Sequence, residues 1–375
     1  MIYFDSAASY PVLPEVQKVL RESFDVLYGN STASHKFGRD AHDKIEEARE
    51  IIADKIGALS SEIVFTSGAT ESNNIAFKSI LLNNADLSEK KHIVTSQIEH
   101  KCVLSICNYL ERQHDFKVTY VKSNSDGLVT ADTIKEALQD DTVLVSVMHV
   151  NNELGTINPI GDIGKLCLDR KILFHTDAAQ SFCKIDVDVD ELNIDIMSIS
   201  AHKVGGPKGI GAVYIRDLRN QNITPVIHGA GQENGVRGGT IAAPLIVAFA
   251  TAVNVFPLHY NLIRKNQLKR ELINQLRKEA INFSINGKEE YTLPSIVSIS
   301  LHNLDAGTLI RGLEDSIALA QSSACSSRQI EPSHVLTSLG VCKTLLHNTL
   351  RLSFSHLNNK QHIDLLVRAM LSAIA

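Results

Sequence analysis

Thr142-Val-Leu-Val-Ser-Val-Met-His149 is a near-continuous apolar run that ends in Val150 and the turn-like Asn151-Asn152-Glu153. A run of this length without alternation reads as a strand buried on both faces, the pattern of a parallel sheet covered by helices. The same unit recurs on either side. Ile63-Val-Phe-Thr66 runs into Ser67-Gly68 and then helix-compatible residues, and His92-Ile-Val-Thr-Ser96 is followed by a helix from about Lys101. Ile172-Leu-Phe-His175 leads to Asp177, and Ile194–Ser200 leads to His202-Lys203. Ahead of these units, Phe37, Ala41, Ile45, Ala48, Ile52 and Ile56 recur at three- and four-residue spacing, which predicts an amphipathic helix over 36–56. Strands alternating with helices predict an α/β fold with a mostly parallel sheet.

Past residue 256 the pattern changes. Helical Leu262–Glu279 is followed by strand-like Ser295–Leu301, by Ser322-Ser-Ala-Cys-Ser-Ser327, by Leu350-Arg-Leu-Ser-Phe354, and by an amphipathic helix over His362–Ala375. The expected organisation is a large domain over 16–256 and a smaller α+β domain built from 1–15 and 257–375. Ile241–Phe256 is the most apolar stretch. It is shorter than the ~20 residues of a membrane span and carries Pro244 and Asn254, so it predicts a buried helix with Pro244 in its first turn.

Composition narrows the function classes. The 375 residues carry 37 Lys+Arg against 42 Asp+Glu, a net charge of −5, with 44% hydrophobic residues. That apolar fraction suits a folded chain with a real core and excludes global disorder. With no Trp, 8 Tyr and 12 Phe, there is little material for a base-stacking surface. A mild acidic excess offers no general attraction to nucleic acid or to an anionic membrane. The N-terminal Met1-Ile-Tyr-Phe-Asp5 has neither a basic segment nor a long apolar one, which predicts no signal peptide. The six cysteines, Cys102, Cys107, Cys167, Cys183, Cys325 and Cys342, form no C-x-x-C pair. The expected compartment is the cytoplasm, where thiols stay reduced. No closed metal-ligand spacing occurs, so no metal is expected.

Polar residues crowd just after the predicted strands: Ser67-Gly-Ala-Thr70, Glu99-His100, Asn151-Asn152, Asp177, Gln180 and Ser200-Ala-His-Lys203. Any one strand end carries polar loop residues. Five together mark a site, because ligands of open α/β sheets bind beyond the carboxyl ends of the strands. A lone lysine after a strand is usually a solvated charge. Lys203 instead sits between the apolar run 195–200 and the glycines Gly205, Gly206, Gly209 and Gly211, where apolar walls make it lose its proton more readily and form a Schiff base. Those glycines match neither a G-x-G-x-x-G fingerprint nor a P-loop. Asp177, at the previous strand end, reads equally as a helix N-cap or as the partner of a protonated pyridine nitrogen. Ser67–Asn73 reads as a well-capped helix start and, compatibly, as a phosphate cradle. Cys102, Cys107 and Cys167 lie in helical apolar patterns and read as core. Cys325 is different: the Ser-rich flanks Gln321-Ser-Ser-Ala and Ser326-Ser-Arg328 suit an exposed loop, and Arg328 favours a thiolate.

The segments Phe65-Thr-Ser-Gly-Ala-Thr-Glu-Ser-Asn73, Glu99-His-Lys101, His149-Val-Asn-Asn-Glu-Leu-Gly155, Asp177-Ala-Ala-Gln180, Ser200-Ala-His-Lys203, Gly206-Pro-Lys-Gly-Ile-Gly211, Arg237-Gly-Gly-Thr240 and Ser322-Ser-Ala-Cys325 resemble, in order, the motifs of cysteine desulfurases of the NifS/IscS-like class. The likeness runs from Tyr3-Phe-Asp5 to Arg351-Leu-Ser353. It implies a fold-type I pyridoxal-phosphate transferase acting as a homodimer. It implies Lys203 as the cofactor-holding lysine, Asp177 on the pyridine nitrogen, Gln180 on the phenolic oxygen, and His100 stacked on the ring and moving protons. Ala69, Thr70, Ser200 and His202 would hold the phosphate, with Thr240 from the neighbouring subunit. Asn152 and Arg351 would bind the carboxylate of the substrate, L-cysteine. Cys325 would attack the substrate sulfur, leaving alanine and a Cys325 persulfide for an acceptor protein.

Three departures from the family pattern leave every catalytic group in place: Ala201 for the usual glycine, Gly205 for the usual aromatic, and Gly238 for the usual serine of Arg-Ser-Gly-Thr. The flanks of Cys325 resemble the long-loop members that react readily with other proteins. The chain also ends sooner than members feeding an iron–sulfur scaffold. A tRNA-thiolating or DNA-phosphorothioating recipient is therefore as much an expectation as iron–sulfur assembly. Two competing readings stay open here: another enzyme of the same cofactor fold, such as an aminotransferase or selenocysteine lyase, which would not need Cys325, and a non-enzymatic sulfur carrier, which would not need Lys203 or Asp177.

Overall fold

The computed structural model describes residues 1–82, 90–321 and 332–374. After β1 (Ile2–Tyr3) come β2 (Ile63–Thr66), β3 (His92–Ser96), β4 (Lys117–Val121), β5 (Thr142–Ser146), β6 (Leu173–Asp177), β7 (Ile196–Ser200) and β8 (Gly211–Ile215). The last seven form one sheet in the order β2-β8-β7-β6-β5-β3-β4. Pairing is parallel from β7 through β6, β5 and β3 to β4. β8 alone runs the other way, antiparallel to both β2 and β7. The carboxyl ends of β2, β3, β5, β6 and β7 therefore share one edge of the sheet with the start of β8. The predicted mostly parallel α/β architecture is what is found.

The strands are apolar without alternation because both faces are covered. β3, β5, β7 and β8 are buried at every position. Successive side chains point to opposite faces. Val94, Val145, Phe174, Met197 and Tyr214 enter a core with Ala41, Ile45 and Ile52 of the helix Lys36–Asp54 and with Ile246, Phe249 and Phe256 of the helix Ala243–His259. Their neighbours Ile93, Leu144, Ile196 and Val213 enter a second layer with Val103, Ile106 and Leu110 of the helix Lys101–His114. Each such side chain contributes on the order of 1.5–3 kcal/mol by leaving water.

Ala243–His259 has Pro244 in its first turn, as the sequence predicts. No single helix among the described residues is long and apolar enough to cross a membrane. One expectation fails: Phe37 is 50% exposed. The inward face of its helix is set by Gly38, where a Cβ would stand 2.2 Å from the Ala33 carbonyl oxygen. Phe37, one residue and ~100° away, is turned outward against Tyr28, with ring centroids 5.2 Å apart.

A further core gathers Phe4, Leu268, Leu272, Leu276, Val297, Ile299, Leu350, Leu352, Ile363 and Leu366. It is built on β9 (Phe283–Ile285), β10 (Ile296–Leu301), β12 (Ala320–Gln321) and β13 (Thr349–Ser353), with β1 pairing in parallel to β11 (Ile317–Ala318). The N-terminal segment thus contributes Phe4 to this core, while Tyr10, Leu13 and Val16 enter the core under the large sheet.

Candidate active site

The shared strand edge opens into a cavity of about 550 Å³. Its wall includes Ala69, Thr70, His100, Asn152, Asp177, Gln180, Ser200, His202, Lys203 and Arg351, so the structure brings together all but two of the site residues read from the sequence. Thr240 is exposed and does not line this chain's cavity. Cys325 lies outside the described residues.

The wall is assembled by close backbone approach. A Cβ on Gly211, the first residue of β8, would stand 2.7 Å from the Gly68 Cα, so only glycine lets the start of β8 lie against the turn after β2. Past β7, Ala201–Lys203 form one 3₁₀ turn. Two of the three departures from the family pattern find their physical reason in this turn. Ala201 is fully buried, and a Cβ on Gly206 would lie 2.9 Å from its own. Gly206 thereby makes room for the extra methyl. Gly205 has φ +74°, and a Cβ there would meet Leu13 Cγ at 2.6 Å. A side chain at 205 is excluded by conformation and by space together.

Lys203 Nζ donates to the carbonyl oxygens of Ala7 at 2.8 Å and Ala8 at 2.9 Å. Burial, joined by the charge of Arg351, lowers its amine to about 8. Asp177 Oδ1 accepts from the Ala179 N–H at 3.0 Å and Oδ2 from Asn73 Nδ2 at 2.9 Å. His100 is the N-cap of Lys101–His114, and its Nδ1 accepts from the Cys102 N–H. That leaves Nε2 as the protonated nitrogen of a ring whose pKa burial lowers. Burial lowers His202 to about 4, helped by the charges of Lys203, Lys208 and Lys184. Arg351 reaches in from β13. Its Nη1 donates to the Asn152 carbonyl at 3.0 Å and its Nη2 to Asp5 Oδ1 at 2.6 Å. Its Nε is buried without a hydrogen-bond partner among the described residues. Such an orphaned donor is costly unless a ligand satisfies it.

Sequence reasoning missed several members of the wall. Cys102 read as core, yet it is half-buried and lines the cavity, 3.0 Å from His100 Nδ1 and 3.1 Å from Asn73 Nδ2. The helix begins at Lys101, so position 102 faces the strand edge and not the helix interior; the His100 cap was the available signal. Burial pushes its thiol up to about 11. Asn73 closes the motif Phe65–Asn73, but its bond to Asp177, 104 residues away, is not legible in local pattern. Cys107 and Cys167 are buried. The segment around Thr240 is tied down by ion pairs, Arg237 Nε to Glu71 at 2.9 Å and Arg49 to the buried Glu233 at 2.8 Å. No group of three His, Cys, Asp or Glu side chains placed for a metal ion occurs among the described residues.

These groups fit a pyridine aldehyde phosphate. A lysine with a depressed amine, a strand-end carboxylate held by two N–H donors, an imidazole and the Arg351 guanidinium line one cavity of suitable volume.

Comparison with known proteins gives a consistent result. The family model for aminotransferase class-V matches residues 2–366. The chain is 41% identical over 379 residues to a cysteine desulfurase IscS of Rickettsia prowazekii (strain Madrid E), with all of the chain and 91% of the relative covered. Among solved structures, it is similar to one described as SspA in complex with cysteine, at 43% identity and a TM-score of 0.85, covering 94% of this chain and 99% of that one. It is also similar to a NifS-like protein at 34% identity and a TM-score of 0.89, covering 99% and 98%.

Proposed function

Because the chain belongs to the class-V aminotransferase family of pyridoxal-phosphate enzymes and is a cysteine desulfurase, we propose that Lys203 holds the cofactor and that Cys325 receives the sulfur of L-cysteine as a persulfide. The observation that carries this reading is the meeting of Lys203, Asp177 and Arg351 on the wall of one cavity. Bound pyridoxal phosphate supplies an electron sink for the pair left at the substrate α-carbon. Asp177 keeps the pyridine nitrogen protonated. Lys203 would hold the cofactor and carry the α-proton, and its amine, lowered by burial, suits that task near neutral pH. His100 would lie against the cofactor and exchange protons through Nε2. Arg351 and Asn152 orient the substrate carboxylate. Ala69, Thr70, Ser200 and His202 take the phosphate. The Cys325 thiolate would attack the substrate sulfur, the C–S bonding pair would stay with the β-carbon, and one proton added there with the α-proton returned at the α-carbon would give alanine and the Cys325 persulfide.

Thr240, exposed and absent from its own cavity wall, suits a phosphate contact across a two-fold, so the active species we propose is a homodimer; sedimentation at the mass of one chain, with full activity, would contradict it. The small domain that carries Cys325 is proposed to be 257–375 with residues 1–15, of which Phe4 joins its core while Tyr10 and Leu13 reach into the core under the large sheet. The acceptor is a thiol-bearing protein, for iron–sulfur assembly, tRNA thiolation or DNA phosphorothioation, and the compartment is the cytoplasm.

Asp177→Asn tests the function directly. The amide preserves size but cannot keep the ring nitrogen protonated. Alanine formation from L-cysteine is expected to fall by about a hundredfold or more, with the fold and the yellow colour kept. Near-normal turnover would reduce Asp177 to a cap. Cofactor loading adds a pH test. Only the free amine of Lys203 attacks an aldehyde, and its pKa is lowered to about 8. The loading rate of the apoprotein should therefore rise about tenfold per pH unit below pH 8 and level off above it. In Arg351→Leu the bend should move to higher pH, because a cation that disfavours protonated Lys203 is gone.

A further inference from the structure

Lys184 is a buried lysine that the reaction as described does not use. It is 6% exposed, and its Nζ donates to Gln180 Oε1 at 2.9 Å. Gln180, 3% exposed, donates from Nε2 to the Ala7 carbonyl at 2.7 Å. The same carbonyl accepts from Lys203 Nζ. The sense of the Gln180 amide is thus fixed twice. An ammonium only donates, so it must meet Oε1; a backbone carbonyl only accepts, so it must meet Nε2. With Oε1 held by Lys184 and one Nε2 hydrogen given to Ala7, what Gln180 has left to donate toward the cavity it lines is the second Nε2 hydrogen.

We propose that Lys184 is a positioning residue that locks the Gln180 amide with its NH₂ group toward the cavity, where it donates to the phenolic oxygen of bound pyridoxal phosphate. The proposal rests on the reading of Lys203 and Gln180 above. Lysine suits the task better than a neutral residue. A glutamine side chain with both faces free turns over at little cost, and with Oε1 toward a phenolate it would present a second lone pair to a negative oxygen. The charges acting on Lys184 are those of Lys203, which opposes its protonation, and of Cys183, and burial with Lys203 lowers its amine to about 7. Even as a neutral amine it keeps N–H groups for Oε1, and Ala7 still accepts only from Nε2.

A hydrogen bond donated to the phenolic oxygen withdraws charge from it and makes the nitrogen of the Lys203–cofactor linkage less basic. The readout is the pH midpoint at which the yellow band of the loaded protein titrates. In Lys184→Met the midpoint is expected to rise by about one unit, a tenfold change in proton affinity. Lys184→Arg, which still donates to Oε1, should stay within about 0.3 unit of the wild type. Gln180→Leu removes the donor, should raise the midpoint as much as K184M does, and should leave K184M little to add. Equal shifts for K184M in the wild-type and Q180L backgrounds would mean bare charge and overturn the proposal. If K184M does not fold, K184R and Q180L decide: a unit shift in the first, or none in the second, overturns it. A yellow wild type with an unchanged midpoint in K184M sinks the proposal alone, whereas borohydride labelling of a lysine other than Lys203 removes the premise and the proposal with it.

Discussion

Lys203→Ala is expected to give a folded protein that does not hold pyridoxal phosphate covalently, gains no borohydride-stable cofactor label, and forms alanine from L-cysteine at least ~10⁴-fold more slowly. Two functions go at once. The covalent link is lost, and so is the group that moves the α-proton, for which a positioned acid–base alone accounts for ~10²–10⁴-fold. Stability should change little. The Lys203 side chain is half-buried and bonds only to two backbone oxygens, on Ala7 and Ala8. Gln180 still donates to the Ala7 carbonyl when Lys203 is gone. Burial and the nearby Arg351 already disfavour the charge on Lys203. Spectral titration with the cofactor, thermal unfolding and an alanine assay together check the prediction. A variant that keeps substantial turnover would place the chemistry at another amine, and Lys184, the other buried lysine near Gln180, would be the first alternative.

Cys325→Ser is expected to separate sulfur transfer from cofactor chemistry. The groups proposed to hold pyridoxal phosphate lie at residues 69–240, and Arg351 is proposed for the substrate carboxylate, so colour, fold and the spectral response to L-cysteine should all remain. Alanine and sulfide formation should fall by ~10³-fold or more, because a hydroxyl near neutral pH is a far poorer attacker of sulfur than a thiolate. The other cysteines are poor substitutes. Burial holds Cys102 up at about 11 and Cys167 and Cys183 at about 12, and pushes Cys107 higher still. Cys342 is exposed and its thiol is lowered by Thr344, so it is the residue that residual activity would implicate. An enzyme of the aminotransferase or selenocysteine lyase kind would lose nothing in this variant.

Much of the site was legible because its residues sit at strand ends, where the end of apolar periodicity marks the position. Lys203 follows β7, Asp177 ends β6, and Ala69 and Thr70 follow β2. What the sequence hid is what tertiary approach creates. Lys184 belongs to no motif read from the sequence, and only the fold buries it against Gln180. Asn73 reaches Asp177 with no local signature, and the Ala7 and Ala8 carbonyls that receive Lys203 have no side chain to notice. Arg351 was expected at the substrate, but its bond to Asp5 spans 346 residues, and the orphaned Nε follows only from the packing. Cys102 shows the converse error: an apolar-looking helix position that the exact start of the helix turns toward the cavity. Phe37 was displaced from the core by a glycine beside it, a steric fact that three- and four-residue periodicity does not encode.

The most direct test of sulfur transfer through Lys203 and Cys325 is peptide mass spectrometry of the loaded protein after brief exposure to L-cysteine, with thiols trapped by alkylation. One extra sulfur should appear on the peptide that carries Cys325. It should be removable by reductant and should be absent from Lys203→Ala protein treated in the same way. A persulfide on Cys102, Cys183 or Cys342 in its place, or one formed on Cys325 without Lys203, would contradict it.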